Sequence, residues 1–376
     1  MKIGIPLEIM TGEGRIALTP EACSSIVKNG HSVYLQHSAG AVSGYTDLEY
    51  QNCGVVIVET AEQLYESAQL IVKVKQPLAQ DLHYLHKNHV LFSYLHLAAD
   101  VSLIRSLCAI GLSAIPFESI VDDNGLLPLL APMSQVAGRI SVIRGASLLF
   151  RNRGGRGVLL GGVDGADIGR VVILGAGVAG SHAVAIATAL GARVDVLDLN
   201  EMRLSELKQQ YPAIETHLSN AERIETLCVQ ADLVIGAVLL AGRRAPVILK
   251  QSVVKQMNHG SVIVDIAIDQ GGCVEDIRST SSEELCYLHN GVIHSAVPNM
   301  PAAVARTASQ SLSTAILPYV LALAEADSEH LQDSKAQLAG VLQDAMAIQQ
   351  HKVVDTVLAQ ELDAEDELAE DVDSIV

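Results

Sequence analysis

The stretch VVILGAGVAGSHAVAIATALGARVDVLDL, residues 171–199, constrains this chain more than any other. An apolar strand, VVIL, runs into Gly175, Gly177 and Gly180, a helical segment follows, and a second strand closes on Asp198, 23 positions after the first glycine. That order is what a dinucleotide-binding βαβ unit needs. The glycines permit a tight turn and let the backbone approach a pyrophosphate, and the helix N-terminus offers amide donors with its positive dipole end. A carboxylate at Asp198 would accept from ribose hydroxyls and repel a 2′-phosphate, so NAD is expected over NADP. Arg203, five positions on, tempers that exclusion.

The rest of the chain fits an α/β protein. At 376 residues it has room for two domains. In the first third, MKIGIPLE, HSVYLQ, LIVKVK (70–75), HVLFSYL (89–95) and SAIPFES (113–119) read as strands. TAEQLYESA and DVSLIRSLCAIG read as helices between them, and Thr19-Pro20 reads as a helix start. Such alternation predicts a parallel, doubly wound sheet. A helix is expected over about 134–150, followed by a connector with seven glycines between Gly154 and Gly169. A second βαβ series then runs to about Val297, and a helix over about 301–326 should break near Pro318. The expectation is two doubly wound Rossmann-like domains with a cleft between them. Residues 1–130, completed by about 302–376, form the substrate side, 131–301 form the NAD-binding domain, and 361–376 are a solvated acidic tail.

Charge and cysteines narrow the partners. The net charge is −18, and eight acids with no base lie between Glu361 and Asp373, leaving −10 elsewhere. Phosphate-backbone binding needs cations, so nucleic acid is not an expected partner. Six scattered cysteines without a C-x-x-C pair suit reduced thiols. MKIGIP enters a strand at once and no apolar run reaches the ~18 residues of a membrane helix, so the expectation is a soluble, cytoplasmic protein with no signal peptide. Around His83, His86 and His89 no acid or cysteine completes a ligand shell, and no metal is expected.

Polar residues at strand ends point to a small substrate. Lys75, His96 and Glu118 close three first-domain strands, and Arg15 lies in the glycine-flanked loop TGEGRIALTP. In SVIVDIAIDQGGC, read as one long buried strand, Asp265 falls in the middle and Asp269 at the end. An unpartnered buried carboxylate costs several kcal/mol, so Asp265 is expected to find backbone donors or a basic partner, and Asp269 to face the substrate. Ligands bind beyond the carboxyl ends of such strands, and the five residues would converge across the cleft. Arginine and lysine can clamp a carboxylate, histidine can move a proton near neutral pH, and aspartate can stabilise a cationic imine or ammonium. That set suits hydride transfer from a small amino acid.

The residues resemble the alanine dehydrogenase family. MKIGIPLEIMTGEGRIALTP, IVKVKQP, LFSYLHLAAD, APMSQVAGR, GGRGVLLGGV, ADLVIGAVL, VDIAIDQGGC and VPNMPAAVARTAS recur in the family's order up to about residue 325. The resemblance implies reversible oxidative deamination of L-alanine to pyruvate and ammonium with NAD, in a homohexamer. It assigns Arg15 and Lys75 to the substrate carboxylate and His96 and Asp269 to proton handling. Ser134, Gly175, Gly177, Gly180, Asp198, Arg203, Val238, Leu239, Asn299 and Met300 fall at cofactor positions. Pro298 and Ala241 depart from the family's usual alanine and proline, and IRGASLLFRNR lacks its tyrosine and acids. Two other readings share the architecture: the soluble NAD(H)-binding part of a proton-translocating transhydrogenase, and an NAD-sensing protein without catalysis.

Overall fold

The computed structural model describes residues 1–238, 244–281, 283–325, 333–360 and 362. The expected positions Leu239 and Ala241 and, apart from Leu362, the acidic tail therefore lie outside the described residues. The chain divides into two compact units, Met1–Pro132 with the chain from Ala302 onward, and Met133–Pro301.

The first unit carries strands β1 (Lys2–Ile5), β2 (Ser32–Gln36), β3 (Val56–Val58), β4 (Leu70–Val72), β5 (Val90–Ser93) and β6 (Ser113–Pro116). They pair in parallel in the order β3-β2-β1-β4-β5-β6. Two short antiparallel strands, Ile348–Gln349 and Lys352–Val353, extend the sheet beyond β6. Ala347, Ile348 and Leu358 join the apolar core formed by Leu91, Leu107 and Ala114, so the returning chain belongs to this unit.

The second unit holds β7 (Arg170–Leu174), β8 (Arg193–Asp198), β9 (Glu215–Leu218), β10 (Leu233–Gly236), β11 (Val262–Asp265), β12 (Tyr287–His289) and β13 (Val292–Ser295). Their order is β12-β13-β11-β10-β7-β8-β9, and only β12 is antiparallel. Val171 and Ile173 face one core with Val262 and Val264, while Val172 and Leu174 face another with Ile263. Burial on both faces is why these strands are apolar without alternation.

Three local expectations need correction. The buried run ends as a strand at Asp265, not Asp269, because the Asp265 carboxylate accepts the Ala267 amide at 2.9 Å and turns residues 266–270 into a 3-10 segment. The helix Ala305–Glu325 passes through Pro318 without a break. One missing N–H is outweighed by burial of Ile316, Tyr319 and Val320 around it. Thr19 precedes the helix Pro20–Lys28, but its side chain caps nothing there; its hydroxyl lies 3.3 Å from that of Ser313.

Candidate active site

In the first sheet the strand order reverses between β1 and β4, the kind of point beyond which ligands bind in doubly wound sheets. The loops leaving those two strands carry Glu8, Glu13, Arg15, Lys73 and Lys75. Arg15 is buried, and its Nε and Nη2 donate to the two oxygens of Glu13 at 2.7 and 2.5 Å. Its amide also donates to Glu13, at 3.0 Å. The loop is held from far along the chain: the amides of Ile16 and Thr19 donate to the hydroxyls of Ser309 and Ser313, each at 2.9 Å. Ser43 donates to the Gly14 carbonyl at 2.7 Å and lies 2.8 Å from the Ser309 hydroxyl. None of these serines was singled out by the sequence, since serine on a helix face has no spacing signature.

Lys75, His96 and Glu118 lie beyond strand ends rather than on them. β4 stops at Val72 and β5 at Ser93, and Glu118 sits in the 3-10 segment Phe117–Ser119 after β6. These are three adjacent parallel strands, so the residues emerge along one edge. His96 holds a left-handed backbone, φ 50°, and its ring lies nearly parallel to that of Tyr94 at 6.2 Å. The side chain is exposed at its surface, yet desolvation around the ring, then the Lys75 and Arg15 cations, lower its pKa to about 4. It is thus a neutral base near pH 7, beside two cations. The Glu118 carboxylate accepts the amides of Leu95 and His96, the latter at 2.5 Å. Burial raises its pKa, while those amides and Lys75 pull the other way. The sequence reading missed Lys73, whose Nζ is buried 3.6 Å from Glu8 and 3.3 Å from Asp81.

In the second sheet the reversal falls between β7 and β10, where the glycine turn lies. Its three glycines have three different reasons. Gly175 has φ +106°, and a Cβ there would stand 2.5 Å from the Ala237 carbonyl oxygen. A Cβ on Gly177 would meet nothing within 4 Å, leaving open space at the N-terminus of the helix Val178–Ala189. A Cβ on Gly180 would stand 1.8 Å from the Gly175 carbonyl oxygen, so only glycine lets helix and turn pack this closely. Asp198 closes β8 and accepts the Ala176 amide at 2.5 Å and the Asn200 amide at 2.8 Å, which sets its carboxylate against the turn. Arg203 is exposed in the first turn of the helix Glu201–Gln210, whose cap is Asn200. Val238 follows β10 half-buried, and Ser134 is half-buried on the helix Ala131–Leu148.

Asp269 is exposed on its 3-10 segment, and both its oxygens accept the Asn299 amide. Asn299 has φ 54°, and Met300 beside it is buried. Asp265 is fully buried and accepts three backbone amides, Ala267 at 2.9 Å, Cys273 at 2.8 Å and Val274 at 3.3 Å, together with the Cys273 thiol at 3.5 Å. Burial still raises its pKa, against the pull of those amides. Among the described residues, no group of three or more His, Cys, Asp or Glu could hold a metal ion, and no helix is long and apolar enough to cross a membrane. His86 and His89 instead stack at 3.6 Å, with the His89 Nε2 2.9 Å from the Tyr65 carbonyl.

Two doubly wound units, one with a complete dinucleotide turn and the other with a neutral base beside two cations, define a nicotinamide-dependent oxidoreductase. Family models narrow this further: "Alanine dehydrogenase/PNT, N-terminal domain" matches residues 4–137 and "Alanine dehydrogenase/PNT, C-terminal domain" matches 141–355. The chain belongs to the alanine dehydrogenase/PNT family. The alanine dehydrogenase of Halomonas elongata is 43% identical over 338 residues, 88% of this chain and 91% of that one. A solved L-alanine dehydrogenase superposes with a TM-score of 0.91 at 44% identity, covering 97% of this chain and 99% of the other. The transhydrogenase of Sinorhizobium meliloti shares the fold, with a TM-score of 0.82 at 21% identity over 95% of this chain and all of that one.

Proposed function

We propose that this chain catalyses the reversible oxidative deamination of L-alanine to pyruvate and ammonium, with NAD as the nicotinamide cofactor. The observation that carries the reading is His96, a neutral base whose pKa is lowered first by desolvation of its ring and then by the cations Lys75 and Arg15, residue types suited to a substrate carboxylate. Arginine and lysine hold the carboxylate, and each charge-assisted bond contributes roughly 1.5–3 kcal/mol. NAD, when bound, supplies the acceptor for the hydride leaving the α-carbon. His96 takes a proton from the α-ammonium and releases it to solvent. It then takes one from the water that adds to the imine carbon and returns it to the nitrogen, which leaves as ammonium when the C–N bond breaks and the carbinol O–H proton is given up. Asp269 is assigned the negative charge that stabilises the cationic imine. The products are pyruvate, ammonium, reduced cofactor and one proton, so the reaction balances.

For the cofactor, Gly175, Gly177 and Gly180 with the amides of the helix Val178–Ala189 would cradle the pyrophosphate. The Asp198 carboxylate would meet the ribose hydroxyls and disfavour a 2′-phosphate. Ser134, Arg203, Val238, Leu239, Asn299 and Met300 would complete the contacts. As in the family, a homohexamer is the expected assembly, which sedimentation velocity would test.

The decisive experiment is alanine-dependent NADH formation, followed by absorbance at neutral to alkaline pH, with serine and glycine as competitors. Robust turnover with alanine supports the reading. NADH binding without turnover of any amino acid would sink it and leave a nucleotide-binding protein.

A further inference from the structure

We propose that Glu8 and Glu118 are positioning residues, whose carboxylates take over where the β-ladder ends and set Lys75 and His96 in place. The proposal rests on reading the chain as an alanine dehydrogenase. The pairing between β4 and β5 runs on past both strands, with Lys73 N–H donating to Phe92 at 3.2 Å and Tyr94 N–H to Val74 at 3.1 Å. The next amides are accepted by carboxylates. Glu8 Oε1 accepts Val74 N–H at 2.6 Å and lies 3.4 Å from Lys75 N. Glu118 accepts Leu95 N–H at 3.1 Å and His96 N–H at 2.5 Å. Each substrate-handling residue thus has its own backbone clasp, and ionised acceptors make the stronger clasps.

The Glu8 clasp is anchored by a buried ion pair. Glu8 is held by the Nζ of Lys73, which is 1% exposed and also faces Asp81 at 3.3 Å. Asp81 in turn accepts the Tyr65 hydroxyl at 3.0 Å and the Leu78 amide at 3.0 Å. Removing one member of such a buried set leaves an uncompensated charge. Glu118 serves a different need. His96 holds φ 50°, a region that side-chain-bearing residues occupy only when their surroundings over-determine it. With the Leu95 and His96 amides both on Glu118, that carboxylate acts on the backbone.

The two clasps predict opposite kinetic signatures, because Lys75 binds the substrate and His96 moves its proton. In the full-length protein, Glu8→Gln should raise the KM for alanine at least about tenfold with kcat within about threefold. Glu118→Gln should lower kcat at least about tenfold with that KM within about threefold. Glu8→Asp keeps the charge against Lys73 while withdrawing the carboxylate from the amides, so it reports on the KM even where Glu8→Gln does not fold. A structural role alone would move KM, kcat and NADH affinity together. Variants that change KM and kcat by the same factor, or leave both unchanged, overturn the proposal while wild-type turnover stands. A wild-type protein inactive toward alanine would overturn it together with the functional reading.

Discussion

The backbone N–H of Asn299 donates to both carboxylate oxygens of Asp269, at 3.1 and 3.2 Å. The two residues stand 30 positions apart, and this contact fixes the acid at an exposed position on a 3-10 segment. Asp269→Asn keeps the shape but removes the charge. A fall in kcat of roughly 10²–10⁴ is expected, the range for losing a positioned electrostatic or proton-handling group. NADH binding, read from the cofactor's own fluorescence because the chain has no tryptophan, should persist. A variant that binds NADH normally and oxidises alanine at the wild-type rate would remove Asp269 from the mechanism.

Asp198 offers a test of cofactor choice. Its carboxylate lies against the glycine turn through the Ala176 amide. Asp198→Ala should narrow the preference for NAD over NADP by at least about tenfold, or about 1.4 kcal/mol. An unchanged ratio of kcat/KM for the two cofactors would show that discrimination lies elsewhere.

The glycines of the turn should separate into two kinds. Gly180→Ala drives a methyl into the Gly175 carbonyl oxygen and should cost about 2 kcal/mol or more, seen as a clear drop in Tm. Gly177→Ala meets nothing in the protein, so Tm should stay within about 1–2 °C. NADH affinity should nevertheless fall at least about tenfold as the methyl enters the space expected for the pyrophosphate. Equal losses of Tm in both variants would contradict this division.

Acid should destabilise the fold through histidines buried in the neutral state. Burial lowers the pKa values of His89 and His294 to about 4, and each side chain is nearly inaccessible. The unfolded chain takes up these protons near pH 6.5, the folded chain only near 4. Stability is therefore complete above about pH 6.5 and is lost as pH falls toward 4, by at most about 3 kcal/mol for each residue. His294→Phe keeps a ring beside Tyr287 and removes the titration. Its Tm should fall less between pH 7 and pH 5 than that of the wild type; an equal fall would clear His294.

What could be read from the sequence depended on how local the signal was. The glycine turn and Asp198 lie within one βαβ unit, and their spacing alone carried their positions. Asp265 was expected to find backbone donors or a basic partner, and the first of these holds, because an acid within an apolar run has few other solutions. Strand ends were overextended at Lys75, His96 and Asp269. A β-branched run does not mark where a side-chain carboxylate takes over from the ladder. Glu8, Ser309 and Ser313 were not legible because their partners are backbone amides far along the chain, and amides carry no residue signature.

The serines that hold the Arg15 loop sit 293 and 294 positions downstream of the amides they accept. On the ribosome, the second unit is complete before those serines are synthesised. The loop that carries Arg15 must therefore wait, with the Ile16 and Thr19 amides solvated, until nearly the whole chain has emerged. This early loop is among the last parts to be finished, so a stalled or prematurely ended chain would carry a complete nucleotide turn and no anchored Arg15 loop.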